Sequence, residues 1–402
     1  MTYEEIVKKI ENMRRFGKKT GFEISTELLR YLRYPEEAFQ TIHIAGTNGK
    51  GSTAMFIASI ISTRKKVGLF TSPHLISFRE RIRVGENCEF PRIKREDVVR
   101  LGEIVLGVCE KHGLEPTMFD VALAIALLYF KEQGCEYVVL ETGFGGTYDS
   151  TRAVSVVPAV SVITNIGFDH EAVLGHTLPE IAKNKAGILR SGTKAVIAKM
   201  EPDAEYVIVD ACEKEKIEYS FSEETGDAFL APLMAALPPY QIENARNAVT
   251  AVRFLEEDFD VMLGLRKAKW PGRMQVVSRN PFILLDGAHN PQGVEALRDS
   301  LKKLYPDEQF TFIMGVLADK DYATMIQTIL PLAKQFCAVT VESARALQGK
   351  ELAETISSYG VNATDYDKIK DAISAAKCLP EKIVIFGSLY FIGEVLELFR
   401  EK

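Results

Sequence analysis

The chain has 402 residues, of which 47% are apolar and 26% charged. That balance belongs to a globular protein and excludes a disordered, collagenous or single coiled-coil chain; at ~150 residues per domain, two domains are the simplest division. With 49 basic against 55 acidic residues the net charge is −6, so no global basic field draws nucleic acid or an anionic membrane. The six cysteines, at 88, 109, 135, 212, 337 and 378, form no C-x-x-C pair, which argues against a zinc ribbon or redox motif and fits a reducing compartment. The first residues, M-T-Y-E-E-I-V-K-K-I, are amphipathic and charged, unlike a signal peptide. The longest apolar run, V-A-L-A-I-A-L-L-Y-F at 121–130, is too short to span a bilayer. A cytoplasmic protein without nucleic-acid or membrane partners is expected.

Short apolar runs alternate with segments of helical length, the pattern of parallel α/β sheets. Thr41–Ala45 reads as a strand, followed by a glycine-rich turn and a helix from about Ser52. Val67–Phe70, Tyr137–Leu140, Ala159–Ile163 and Ala195–Ala198 read as further strands, with helices over about 95–111 and 117–133. Unbroken apolar strands need cover on both faces, and the helices supply it. The segment 200–240, with Pro232, Pro238 and Pro239, reads as irregular. A second series then begins, with strands at Phe282–Leu285, Thr311–Met314 and Ile383–Phe386 and helices at about 291–304, 321–334 and 388–400. W-P-G-R-M-Q at 270–275 is the expected junction, dividing the chain into 1–270 and 271–402.

The strongest local signal is H-I-A-G-T-N-G-K-G-S-T at 43–53. A strand ends, glycines permit a tight turn, and a helix begins; the backbone N–H groups of such a loop point at phosphate. Lys50 would neutralise phosphate charge, and Ser52 or Thr53 would approach magnesium. The match to G-x-x-x-x-G-K-[ST] is imperfect, because Gly51 separates Lys50 from Ser52. Glu141 closes the strand Y-V-V-L-E, where α/β sheets bind ligands, and the following T-G-F-G-G-T permits close approach; the plain alternative is a strand-end acid facing water. His170, in T-N-I-G-F-D-H, lies just past another strand and is either a ligand or a packed residue. Lys183 and Lys185 stand two apart on one expected helix, so at most one faces a site there.

Nine segments in order carry a resemblance to the folylpolyglutamate synthase/dihydrofolate synthase family, a branch of the Mur-type ATP-dependent amide ligases. They are H-I-A-G-T-N-G-K-G-S-T at 43, T-S-P-H-L-I-S-F-R-E-R-I at 71, E-T-G-F-G-G at 141, I-G-F-D-H-E-A-V-L-G-H-T at 166, I-A-K-N-K-A-G-I at 181, Q-I-E-N-A at 241, P-G-R-M-Q at 271, L-D-G-A-H-N-P at 285 and G-S-L-Y-F-I-G-E-V at 387. The resemblance implies an N-terminal P-loop-containing, parallel-sheet ATPase domain over 1–270 and a smaller, Rossmann-like C-terminal α/β ligase domain over 271–402, which close over the reaction. It implies that ATP phosphorylates a folate or pteroate carboxylate and that the amino group of L-glutamate attacks the acyl phosphate.

Residue by residue, the resemblance implies ATP contacts from Thr47, Asn48, Gly49, Lys50, Gly51, Ser52, Asn244, Arg273 and Asp286. It implies magnesium ligands at Ser72, Glu141, His170 and Lys185, serving two sites, with Lys185 carbamylated by CO₂ and room for a monovalent cation. Lys50, Lys185 and His170 would be catalytic. His74, Arg79, Phe119, Asp120, Tyr148, Asp149 and His289 would line the substrate sites, and the protein would act as a monomer.

The chain departs from the family where T-Y-D-S-T-R at 147–152 replaces R-L-D-A-T-N. Thr147 thus stands for an arginine and Arg152 for an asparagine. Asn184 stands for the usual Glu, Asp120 for the common Glu, and Tyr240 for the usual His before Gln241. Losing a planar, bidentate arginine is not a small change. The reaction class is therefore better marked than the acceptor. A ligase for another carboxylate and amino acid is the alternative, and a nucleotide-binding protein without ligation is the third reading.

Overall fold

The computed structural model describes residues 1–14, 21–169 and 171–400. The chain divides into two compact units, Met1–Ala235 with Gln241–Lys269, and Ala236–Tyr240 with Trp270–Lys402. Both are α/β units built on mainly parallel sheets.

In the first unit the described strands are β1 (Gln40–Ala45), β2 (Val67–Phe70), β3 (Ile82–Gly85), β4 (Tyr137–Glu141), β5 (Val160–Ile163), β6 (Lys194–Ile197) and β7 (Glu218–Phe221). Their order is β3-β2-β4-β1-β5-β6-β7, with β3 antiparallel to β2 and the rest parallel. Every residue of β4 is buried. Helices Arg95–His112 and Met118–Glu132 match the expected spans to within a residue or two. The run at 121–130 lies inside Met118–Glu132, and its burial on nearly all sides explains the apolar composition. Phe130 seats this helix on β2: a Cβ at Gly68 would lie 2.6 Å from its ring. Among the described residues no helix is long and apolar enough to cross a membrane.

Register brings the strand ends together. Glu141 pairs with Ile44, Ala45 with Ile163, and Phe70 with Leu140. The loops after β1, β2, β4 and β5 therefore leave one edge of the sheet, where α/β proteins bind ligands. The segment 200–240 is more regular than its prolines suggest, with helices Pro202–Lys214 and Asp227–Met234 flanking β7. Pro202 opens its helix, where a missing N–H costs little.

The second unit carries β8 (Gln275–Arg279), β9 (Phe282–Leu285), β10 (Phe310–Met314), β11 (Ala333–Val339), β12 (Ala363–Tyr366) and β13 (Lys382–Phe386). Their order is β12-β11-β10-β13-β9-β8, antiparallel only at β8–β9. The helix expected over 321–334 ends at Ile329; a 3₁₀ turn, Leu330–Leu332, contains Pro331 and hands over to β11. Proline has no N–H for the helical ladder, so the chain leaves the helix there.

Candidate functional site

The loop after β1 is fixed from two sides. Beyond β5, the Asn165 carbonyl accepts the Thr47 N–H at 2.8 Å, and Asn165 Oδ1 accepts the Asn48 N–H at 2.8 Å. The Thr164 hydroxyl donates to the Asn48 carbonyl at 2.8 Å, and Thr47 Oγ1 donates to the Gly167 carbonyl at 3.0 Å. From the other side, helix Pro239–Arg253 presents Asn244, whose Nδ2 donates to Gln241 Oε1, while Gln241 Nε2 donates to Ser52 Oγ. Gly49 has φ +85°, and a Cβ there would fall 2.2 Å from Asn244 Oδ1.

Gly46 is tighter still. Its φ is +152°, and a Cβ would sit 1.7 Å from Thr164 Oγ1. Gly46→Ala is expected to destabilise the protein by about 3 kcal/mol or more, from overpacking added to backbone strain. Denaturant midpoints measure this, and an unchanged midpoint would contradict the geometry.

Two lysines converge on this loop. Lys50 Nζ donates to the Gly46 and Thr47 carbonyls at 3.0 and 3.1 Å. Lys185 Nζ, buried, donates to the same Gly46 carbonyl at 2.8 Å. Lys183 faces solvent, so only one of the two helical lysines reaches the site, as their spacing predicts. Burial chiefly, then repulsion from Lys50, pulls the Lys185 amine down to about 7, against the opposing pull of Asp169 and Asp149. Near neutrality a sizeable share of this amine is therefore uncharged.

Glu141 is buried at the end of β4, and its Oε2 accepts the Ser72 N–H at 3.0 Å just past β2. The structure thus gathers Thr47–Ser52, Asn244 and Lys185 around one loop and sets Glu141 beside Ser72 at adjoining strand ends. His170 lies outside the described residues. Asn165 and Thr164 escaped the sequence reading; their signal was a polar pair directly after β5.

The residues expected at the acceptor have varied surroundings. His74 Nδ1 accepts from Arg81 Nε at 2.9 Å, and His74 Nε2 lies 3.4 Å from Glu11 Oε1. Burial and Arg81 lower its pKa to about 3, so the ring is neutral. Arg79 Nε donates to the Ile93 carbonyl and pins the 3₁₀ turn Phe78–Arg81. Phe119 stacks obliquely on Phe70, with ring centroids 5.4 Å apart, and covers Gly143. Tyr148 is 68% exposed.

Asp120 and Asp149 are both engaged internally. Asp120 Oδ2 accepts the Thr117 N–H and hydroxyl, each at 2.7 Å, and Oδ1 accepts the Ser25 and Ser150 hydroxyls. This carboxylate caps helix Met118–Glu132. Asp149 accepts the Phe144 N–H at 2.7 Å and the Thr151 N–H at 3.0 Å, which shapes the glycine-rich loop after β4.

Three of the departures from the family pattern meet at one place. The Asn184 carbonyl accepts both the N–H and hydroxyl of Thr147, and Asn184 Oδ1 accepts the Gly146 N–H at 3.1 Å. Arg152 Nη1 donates to the Gly187 carbonyl at 2.8 Å. A Cβ at Gly187 would fall 2.4 Å from Thr147 Cα. The glycine-rich loop is thereby bolted to the end of the helix that carries Lys185.

In the second unit Asp286 is buried at the end of β9. Its Oδ2 accepts the Tyr240 hydroxyl at 2.8 Å and the Met274 N–H at 2.9 Å; its Oδ1 accepts the Ala288 N–H at 2.9 Å. Burial raises its pKa, opposed by the Arg273 cation and these donors. Arg273 lies against Gly287, and His289 Nδ1 sits 2.7 Å from the Gly287 carbonyl.

This is the architecture of a Mur-type ligase: residues 44–235 match the Mur ligase middle domain and 272–389 the Mur ligase glutamate ligase domain. The chain is 33% identical to the dihydrofolate synthase/folylpolyglutamate synthase of Bacillus subtilis, over 98% of both chains. Among solved structures, Escherichia coli FolC in complex with DHPP and ADP superposes with a TM-score of 0.89 at 26% identity, covering 100% of this chain and 98% of that one. The bifunctional folylpolyglutamate synthase/dihydrofolate synthase of Yersinia pestis, complexed with AMPPNP and Mn ion, gives 0.86 at 25% identity, with 100% and 98% coverage. The chain belongs to the folylpolyglutamate synthase/dihydrofolate synthase family and is an ATP-dependent, ADP-forming amide ligase.

Proposed function

We propose that the chain joins L-glutamate to the carboxylate of dihydropteroate, tetrahydrofolate or both, in the cytoplasm and as a monomer. The observation that carries this reading is the convergence of Lys50 and Lys185 on the Gly46 carbonyl, on a loop anchored by Asn165 and Asn244. In the first step an acceptor carboxylate oxygen bonds to the γ-phosphorus of ATP as the bond to ADP breaks. In the second, the glutamate amino group attacks the acyl carbonyl, loses a proton and expels phosphate. All the partners are anions, so positioning beside fixed cations and N–H dipoles provides the catalysis.

Residues 1–270 would form the ATP-binding domain and 271–402 the ligase domain. The N–H groups of Thr47–Ser52 and the Lys50 ammonium would cradle the phosphates, with Asn244, Arg273 and Asp286 making further nucleotide contacts. The oxygen set of Ser72 and Glu141 fits magnesium, a hard cation. Bound there, magnesium would offset phosphate charge. Lys185, uncharged in sizeable part near neutrality, suits attack on CO₂, whose carbamate would add oxygen ligands for a second ion. His74, Arg79, Phe119, Asp120, Tyr148, Asp149 and His289 would line the substrate sites.

Phosphate release in the presence of ATP, magnesium, each pterin acceptor and a panel of amino acids tests the reading. Release dependent on a pterin acid and glutamate is expected. Release only with a non-pterin acid would move the protein to another acceptor, and none with any acid would remove ligation.

A further inference from the structure

The second unit contains a buried carboxylate held in one orientation by three donors. Two of them, the Tyr240 hydroxyl and the Met274 N–H, act on Oδ2 of Asp286. Oδ1 accepts the Ala288 N–H and keeps acceptor capacity for one more donor. The two oxygens are therefore unlike: Oδ2 carries two donors from the fold and Oδ1 one. Met274 and Ala288 act through the backbone, so Tyr240 is the side chain whose identity sets this asymmetry. A histidine at this position is able to donate the same bond.

We propose that Tyr240 is a positioning residue for nucleotide binding: its phenol fixes Asp286 so that Oδ1 presents to a donor group of the nucleotide. The inference rests on the reading of Asp286 as a nucleotide contact. Burial and the neighbouring Asp286 charge hold the phenol well above its usual pKa, so it stays a donor at physiological pH. The same bond opposes the rise that burial imposes on the Asp286 carboxyl and so favours its charged form.

The test compares wild type, Tyr240→Phe and Tyr240→His in the full-length protein. Binding of a non-hydrolysable ATP analogue is followed by calorimetry, with KM for ATP and kcat measured in parallel. Losing a hydrogen bond to a carboxylate is expected to weaken analogue binding and raise KM for ATP about tenfold in Tyr240→Phe, with kcat at saturating ATP within about twofold. Tyr240→His is expected to recover most of the loss, which a purely structural role for the ring would not produce. Binding by Tyr240→Phe within about twofold of wild type, or a histidine variant no better than phenylalanine, would overturn the proposal. Failure of wild type to bind the analogue would overturn both the nucleotide reading and this inference. Normal analogue binding without ligation of any pterin acid would sink only the acceptor assignment and leave the Tyr240 comparison decisive.

Discussion

Replacing Lys50 with alanine is expected to lower ligation about 10²–10³-fold, the size seen when one preorganised electrostatic contact to a reacting group is removed. The fold should survive. Lys50 is half-buried, and among the described residues its ammonium donates to two carbonyls of its own loop. Those carbonyls can turn to water, at roughly 1 kcal/mol. A phosphate entering the loop competes for the same ammonium, and a charge-assisted bond to phosphate is the stronger of the two. Single-turnover formation of acyl phosphate, alongside a thermal melt, checks the prediction. Near-normal turnover in a folded variant would remove the phosphate-loop assignment.

Lys185→Ala is expected to lower ligation by a similar ~10²–10³-fold while leaving stability unchanged or slightly improved. The gain comes from deleting an amine whose charged form burial disfavours. The sign follows from proton counting: the folded pKa of about 7 lies below the ordinary 10.5. Between those values the unfolded chain binds more protons, so this lysine's contribution to stability rises with pH across that window and is flat below it. The uncharged amine, the form that adds CO₂ and releases a proton, grows through the same region. Wild-type activity is accordingly expected to climb through neutral pH, to fall in CO₂-depleted buffer and to recover with bicarbonate. Full activity without CO₂ would leave the carbamate unsupported.

The parallel strands at the centre of both sheets were legible because burial on two faces demands unbroken apolar runs, as in Y-V-V-L at 137 and I-V-I-F at 383. Strands at sheet edges were not. β7 and β12 mix exposed and half-buried positions, so no apolar run announces them. β11 goes unannounced too, and the helix expected over 321–334 runs past Pro331 into its first two residues. Within the site, Lys50 is legible in its glycine-rich loop, whereas the spacing of Lys183 and Lys185 says only that at most one reaches the site, and the resemblance singles out Lys185. Asn165 is not legible, since its role depends on β5 lying beside β1, which strand order fixes and local sequence does not encode. Asp120 shows the converse: a carboxylate's duty depends on which donors surround it, and Ser25 and Ser150 come from distant segments.

The bolt between Thr147 and Asn184 constrains its positions unequally. Thr147 occupies a gap that leaves no space for a side chain at Gly187, and its hydroxyl donates to the backbone carbonyl of Asn184. Replacing Asn184 keeps that carbonyl and removes only the Oδ1 that accepts the Gly146 N–H, whereas replacing Thr147 removes its hydroxyl and keeps its N–H on the same carbonyl. The backbone half of the bolt thus outlasts a change of either side chain, while Gly187 has room for none.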